Sequence, residues 1–260
     1  MPFTVSHIAA VLPGHRLLSR AGIFTAAVIG SMVPDFGLLA PVSIARWQTH
    51  SFEALFTFCL PVGLAAYWLT LLLIRPAVLE VLPDGAYERL RAASPPASIW
   101  RLSAWLYAAA GLLLGAGTHL IWDAFTHENA RGVRMFPLLS DYGPEMAGHH
   151  LQLYGWLQHG SSLVGLAVVV LALALWLGNA PAPAKPPVRR IAPLERLVWV
   201  AAYVLPSLLV IAWGFWHPWA AGRLPLRGGW GLAAIAVDTM RCAIVSLLLV
   251  SALIRARLAV

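Results

Sequence analysis

Residues Trp100–Asp123 read WRLSAWLYAAAGLLLGAGTHLIWD. This is an apolar run long enough to cross a hydrocarbon core, which takes about 20 helical residues. Its far end carries His119 and Asp123, one helical turn apart. Ionisable groups inside a bilayer are costly, and they are retained where they are paired or functional. The run therefore points to a membrane helix bundle whose chemistry gathers at one end of its spans.

Working outward, Ala54–Ile74, Ser161–Gly178, Leu197–Trp216 and Gly231–Ile254 meet the same length requirement. A further segment, Ala21–Ala40, is weaker because Pro34 and Asp35 interrupt it near one end. Met1–Pro13 is apolar but too short to span, which predicts an interfacial or re-entrant segment. Composition agrees: 60% of residues are hydrophobic and 11% charged, against roughly 25% charged in soluble domains. The predicted fold is an all-α polytopic bundle of about six spans forming one integral membrane domain over residues 1–260. Within it, 1–178 is the motif-bearing core, 179–191 an Ala/Pro linker and 192–260 two additional spans. Arg75–Ser98 reads as a polar loop with a short helix, and Glu128–Gln158 as the longest connection. No internal repeat is evident.

The net charge of +7 does not indicate a nucleic-acid partner, because the Lys and Arg residues are dispersed over short loops without a binding motif. They report orientation instead. With six crossings and both termini cytoplasmic, inside regions hold twelve basic residues and outside regions five. Cys59 and Cys242 both fall in apolar segments and read as small buried hydrophobes. The first fifteen residues lack the pattern of a cleavable leader. Many of the Trp residues lie near span ends, Trp219 among them, as an aromatic belt requires.

That topology delivers unusual polar residues to one membrane face. Asp35 ends the first crossing, His50 precedes the second, His119, Asp123 and His127 run along the third, and His159 starts the fourth. The spacing His119-x3-Asp123-x3-His127 places all three on one helical stripe. Imidazole and carboxylate are ligands for Zn²⁺ and related divalent ions. Taken singly, each of these histidines reads more readily as a polar cap near a helix end; His119 and Asp123 together, one turn apart, favour a paired or functional role. Arg131 and Arg134 suit either a phosphate or an interfacial anchoring role. Asp238 and Arg241, three apart in the last span, read as an ion pair, and His149-His150 beside Glu145 as a solvated pair or a surface metal site.

Several of these motifs carry a resemblance. The opening Met1-Pro-Phe-Thr-Val-Ser-His7, the Gly30…Pro34-Asp35 turn, the His119-x3-Asp123 helix with Thr126-His127, and Gln158-His-Gly-Ser-Ser162 resemble an uncharacterised bacterial membrane family. That family is similar to predicted inner-membrane metal-dependent hydrolases, and the resemblance covers roughly residues 1–175. It implies His7, Asp35, His50, His119 and Asp123 as metal ligands, with His127 and His159 as further ligands or as residues orienting them. A more distant likeness, the His-x3-Asp helix alone, links the chain to zinc-dependent phospholipases C and related nucleases.

The leading expectation is a metal-dependent hydrolase of the bacterial inner membrane, acting at the outer face on a phosphoester or other ester of a lipid-like substrate. Its divalent ion would be Zn²⁺, Asp35 and Asp123 would act as ligands or base, and Arg131 or Arg134 would stabilise anionic charge. The alternatives are a non-enzymatic scaffold holding a structural His/Asp cluster, and a transporter using the same residues with Asp238 and Arg241.

Overall fold

A computed structural model describes residues 4–20, 23–40, 42–93, 99–146, 149–179, 190–220 and 229–259. Most of the expected linker Asn179–Ile191, the end of the Arg75–Ser98 loop, and the side chains of Trp219 and His149 lie outside the described residues. Among the described residues, five helices are long and apolar enough to cross a membrane: Leu55–Val81, Leu102–Thr126, Leu153–Gly178, Pro193–His217 and Ala234–Ala259. The chain is an all-α polytopic membrane protein. It divides into two compact units, residues 1–67 with 98–176 and residues 68–97 with 177–260.

In the first unit, α1 (Phe24–Gly30) packs along the middle of a long helix, Leu102–Thr126. Small residues allow this closeness. A Cβ on Gly111 would lie 2.6 Å from the Ile23 carbonyl oxygen, and one on Gly115 would strike the Ala27 carbonyl. In a chain that gains little from burying apolar surface between spans, small residues let backbones approach and collect dispersion contacts.

The segment Ala21–Ala40 does not form a span. After α1 the chain tightens into 3₁₀ turns over Val33–Leu39, where Pro34 occupies the first turn and Asp35 is buried. Upstream, Thr4–Ala10 is also a 3₁₀ helix, followed by a short helix, His15–Arg20. The two arms form a hairpin. Val11, Leu18 and Ala27 make its core with Ile8, Ile23 and Phe24, and Thr4 Oγ1 closes its open end by donating to Asp35 Oδ2 at 2.8 Å.

The helical run α2 (Leu55–Val81) contributes to both units and contains two π turns, Leu55–Cys59 and Thr70–Ile74. Pro61 and Pro76 follow them closely; each lacks a backbone N–H, and the widened turns precede that break in the ladder. Trp47–His50 forms a single helical turn ahead of α2. Helix α3 is Leu102–Thr126 and α4 is Leu153–Gly178. The connection between them is more ordered than a loop. It holds a short helix, Arg131–Met135, and an antiparallel hairpin of β1 (Tyr142–Met146) and β2 (His149–Gln152). The pairing is irregular between Tyr142 and Glu145, where Pro144 has no N–H to give. Helix α4 begins eight residues before the expected Ser161, so Gln158 and His159 lie within its first turns.

In the second unit, α5 (Pro193–Ala220) and α6 (Gly229–Ala259) pack on each other around Ala77, Val81, Ile191, Val250 and Ile254. Tyr203 and Ser251 share a hydrogen bond of 3.0 Å between them. Asp238 and Arg241 form the expected pair at 3.4 Å on an exposed face. Cys59 is buried and Cys242 half-buried, and neither is in a disulfide.

Candidate metal centre

Four separate stretches of the first unit bring His7, Asp35, His50, His119 and Asp123 together. Helix α3 supplies two of them from one face, as the i, i+4 spacing requires. Asp35 arrives on the 3₁₀ turns after α1, His7 on the Thr4–Ala10 arm, and His50 at the end of the Trp47–His50 turn.

Hydrogen bonds behind the ligands set their tautomers. His119 Nδ1 donates to the Ser31 carbonyl at 2.7 Å, leaving the Nε2 lone pair pointing away from that carbonyl. Thr49 Oγ1 donates to the Arg46 carbonyl at 3.2 Å, so its lone pair accepts from His50 Nδ1 at 2.6 Å. His50 Nε2 is thereby bare as well. Such partners, which orient an imidazole through its second nitrogen, are a regular feature of metal sites.

Both bare nitrogens face carboxylate oxygens. His50 Nε2 lies 3.4 Å from Asp35 Oδ1 and 3.5 Å from Asp123 Oδ2; His119 Nε2 lies 3.7 Å and 3.5 Å from the same two atoms. Acceptors facing acceptors repel unless a proton or a metal cation lies between them. Bonds of about 2.0–2.1 Å from Zn²⁺ to tetrahedral N and O ligands put neighbouring donors roughly 3.3–3.4 Å apart, close to these four separations. His50 Nε2, His119 Nε2 and Asp123 Oδ1 are buried without a hydrogen-bond partner, and so are both ring nitrogens of His7, which is 1% exposed. Leaving such groups unsatisfied costs roughly 1–3 kcal/mol each. The donor set fits a divalent ion.

His127 closes one side of this cluster. Its Nδ1 lies 3.5 Å from Asp123 Oδ1, and the Gln158 amide nitrogen donates to its Nε2 at 3.1 Å. That donation leaves the proton on Nδ1, where Thr126 Oγ1, itself donating to the Trp122 carbonyl, accepts it at 3.2 Å. Burial, outweighing the pull of Asp123, pushes this imidazole down to about 4, so it is neutral near pH 7. His159, expected at the site, is exposed on α4; its neighbour Gln158 is the residue that reaches His127.

Beside the centre opens a cavity of about 700 Å³. Asp123 and His50 form part of its floor, Phe52, Leu55, Leu120 and Ile121 line it with apolar surface, and Arg131 and Arg134 reach it from their short helix. That helix lies close against α3 because Gly132 carries no Cβ, which would stand 2.6 Å from the Ala124 carbonyl.

Sequence reasoning missed Arg46. Its Nη2 meets Asp123 Oδ2 at 2.6 Å, and the side chain, 48% exposed, also lines the cavity. Its position one turn before His50 was the available signal. Thr4, three residues before His7, and Gln158, beside His159, were missed for the same reason: each is a neighbour of a candidate rather than a candidate type.

A family model described as a domain of unknown function, DUF4184, matches residues 1–253. The chain belongs to that family. The match extends through α5 and into α6, well past the 1–175 region that the motifs cover, so both units belong to the DUF4184 pattern. No curated protein and no solved structure matches the chain.

Proposed function

We propose that this DUF4184 chain is a membrane-embedded, metal-dependent hydrolase that cleaves a phosphoester or other ester of a lipid-like molecule. One observation carries the reading: a convergent set of bare His and Asp donors adjoins an open cavity lined by both apolar side chains and arginines. His50, His119, Asp35 and Asp123 would hold the ion, with Zn²⁺ the best match to donor type and spacing. A bound divalent ion supplies a Lewis acid and lowers the pKa of water towards neutrality.

The chain's own residues would do the rest. Arg46, Arg131 and Arg134 hold an anionic headgroup by charge-assisted hydrogen bonds, and Phe52, Leu55 and Ile121 shelter the adjoining hydrocarbon. Thr4, Thr49 and the Ser31 carbonyl keep the ligands aimed. His127, held by Gln158 and Thr126, borders Asp123 on the side away from the oxygen that Arg46 meets.

We place the centre at the outer face of the inner membrane. The start of α3, away from the centre, follows Arg101, and the connection before it carries Arg75, Arg89 and Arg91, a basic bias that supports a cytoplasmic side there. The hairpin of residues 4–35 then enters from the outer face and returns to it, in place of a first crossing. Irregular backbone at membrane depth is tolerated when protein covers it, and α3 and α4 cover this arm.

A second reading draws on the 2.6 Å contact between Arg46 and Asp123, which would neutralise one carboxylate in a purely structural network. Elemental analysis of the purified protein, wild type beside Asp123→Asn, separates the two. Bound metal lost in the variant, together with metal-dependent hydrolysis of a phospholipid or lipid phosphate in mixed micelles, supports the hydrolase. No metal in either protein leaves the scaffold.

A further inference from the structure

The geometry points to a two-ion centre in which Asp123 bridges the ions, one oxygen to each. This rests on the metal-binding reading above.

The donors divide between the two oxygens of Asp123. Around Oδ2 lie His50 Nε2 and His119 Nε2, both at 3.5 Å, and each of these nitrogens also faces Asp35 Oδ1. Around Oδ1 lie His7 Nε2 at 3.7 Å and His127 Nδ1 at 3.5 Å. One ion held by Asp35, His50, His119 and Asp123 Oδ2 has its four ligands without His7. Yet His7 is the most clearly orphaned group among the described residues, with both nitrogens buried and lacking a hydrogen-bond partner. An imidazole so placed, facing the second oxygen of a carboxylate already assigned to an ion, has the position of a ligand to another ion.

A carboxylate bridging through both oxygens suits two ions about 3.5–4 Å apart, the spacing of two-metal hydrolytic sites. The second ion would take His7 Nε2 and Asp123 Oδ1. His127 would become its third donor when the Gln158 amide turns over, so that its oxygen accepts from Nε2–H and frees Nδ1. With two or three protein donors, this ion keeps more open positions than the first.

The charge balance then restricts the substrate. Asp35 and Asp123 supply two negative charges, already offset in part by Arg46, so two divalent ions leave a positive surplus. A phosphoester matches that surplus and a neutral carboxylic ester does not. The substrate class is thereby narrowed to phosphate esters of lipid-like alcohols.

The test is metal stoichiometry by mass spectrometry after stripping, reloading with Zn²⁺ and removing excess ion. About two ions per chain in the wild type, falling to about one in His7→Ala, is the expected result. One ion in the wild type overturns the two-ion centre and leaves the hydrolase reading standing; none overturns both. If His7→Ala fails to assemble, Mn²⁺-loaded wild type decides alone. A spin-coupled resonance spectrum is expected of bridged ions, and a spectrum of isolated Mn²⁺ only would end the proposal.

Discussion

His7 and His119 stack face to face, ring centroids 3.7 Å apart and planes within 20°. The stack orders two nitrogens towards opposite oxygens of one carboxylate, His7 Nε2 to Asp123 Oδ1 and His119 Nε2 to Oδ2. Asp123 is therefore the residue that both stacked histidines face. Asp123→Asn keeps the shape and removes the charge. It should weaken Zn²⁺ binding at least about a hundredfold, the upper range for shell mutations and a minimum for a shared ligand. Competition titration against a chromogenic chelator measures it, and binding within a few-fold of wild type would count against the centre.

Arg46 makes a different prediction. It touches Asp123 yet is half exposed and lines the cavity, so its main loss on mutation should be an anion contact. Arg46→Gln should retain its metal while binding of inorganic phosphate or vanadate weakens about tenfold or more, the worth of one hydrogen bond to a charged group. Loss of metal with unchanged phosphate binding would instead make Arg46 a support for Asp123.

The close packing of α1 on α3 also reaches the centre, because the Ser31 carbonyl that fixes the His119 tautomer follows α1 directly. Gly115→Val places branched carbon against the Ala27 carbonyl. Overpacking of this kind costs about 1–3 kcal/mol. A lowered thermal midpoint in detergent, accompanied by weaker metal binding, is expected; a lowered midpoint with metal affinity intact would uncouple the two.

The long apolar runs announced the five spans, since length and hydropathy are local properties that survive whatever the neighbours do. His119 and Asp123 were readable together because one helix fixes their spacing. Ala21–Ala40 was harder: its apolar content suited a crossing, but the 3₁₀ turns at Pro34 and the fit of α1 against Gly111 and Gly115 depend on tertiary contact. His159 and Gln158 exchanged importance because the helix start at Leu153 fixes which of two adjacent side chains faces α3. Arg46 was read as a loop charge, and only folding places it on Asp123.

Orientation is open to chemical labelling. In a background with Cys59 and Cys242 replaced by Ala, Glu128→Cys should react with an impermeant maleimide added to intact cells, and Gly85→Cys should react only after lysis. Glu128 borders the cavity and Gly85 has open space around it, so neither change disturbs packing. The reverse pattern would place the centre on the cytoplasmic side.

The hairpin closed by Thr4 and Asp35 bears on biogenesis. Its two arms are made first, but the helices that cover them, α3 and α4, follow only after α2. At roughly 5–20 residues per second, synthesis from Asp35 to the end of α3 takes on the order of 5–20 s. Through that interval His7 and Asp35 lack the helices that bury them in the folded chain. The cluster of His7 and Asp35 with His119 and Asp123 can therefore close only once residue 123 has left the ribosome.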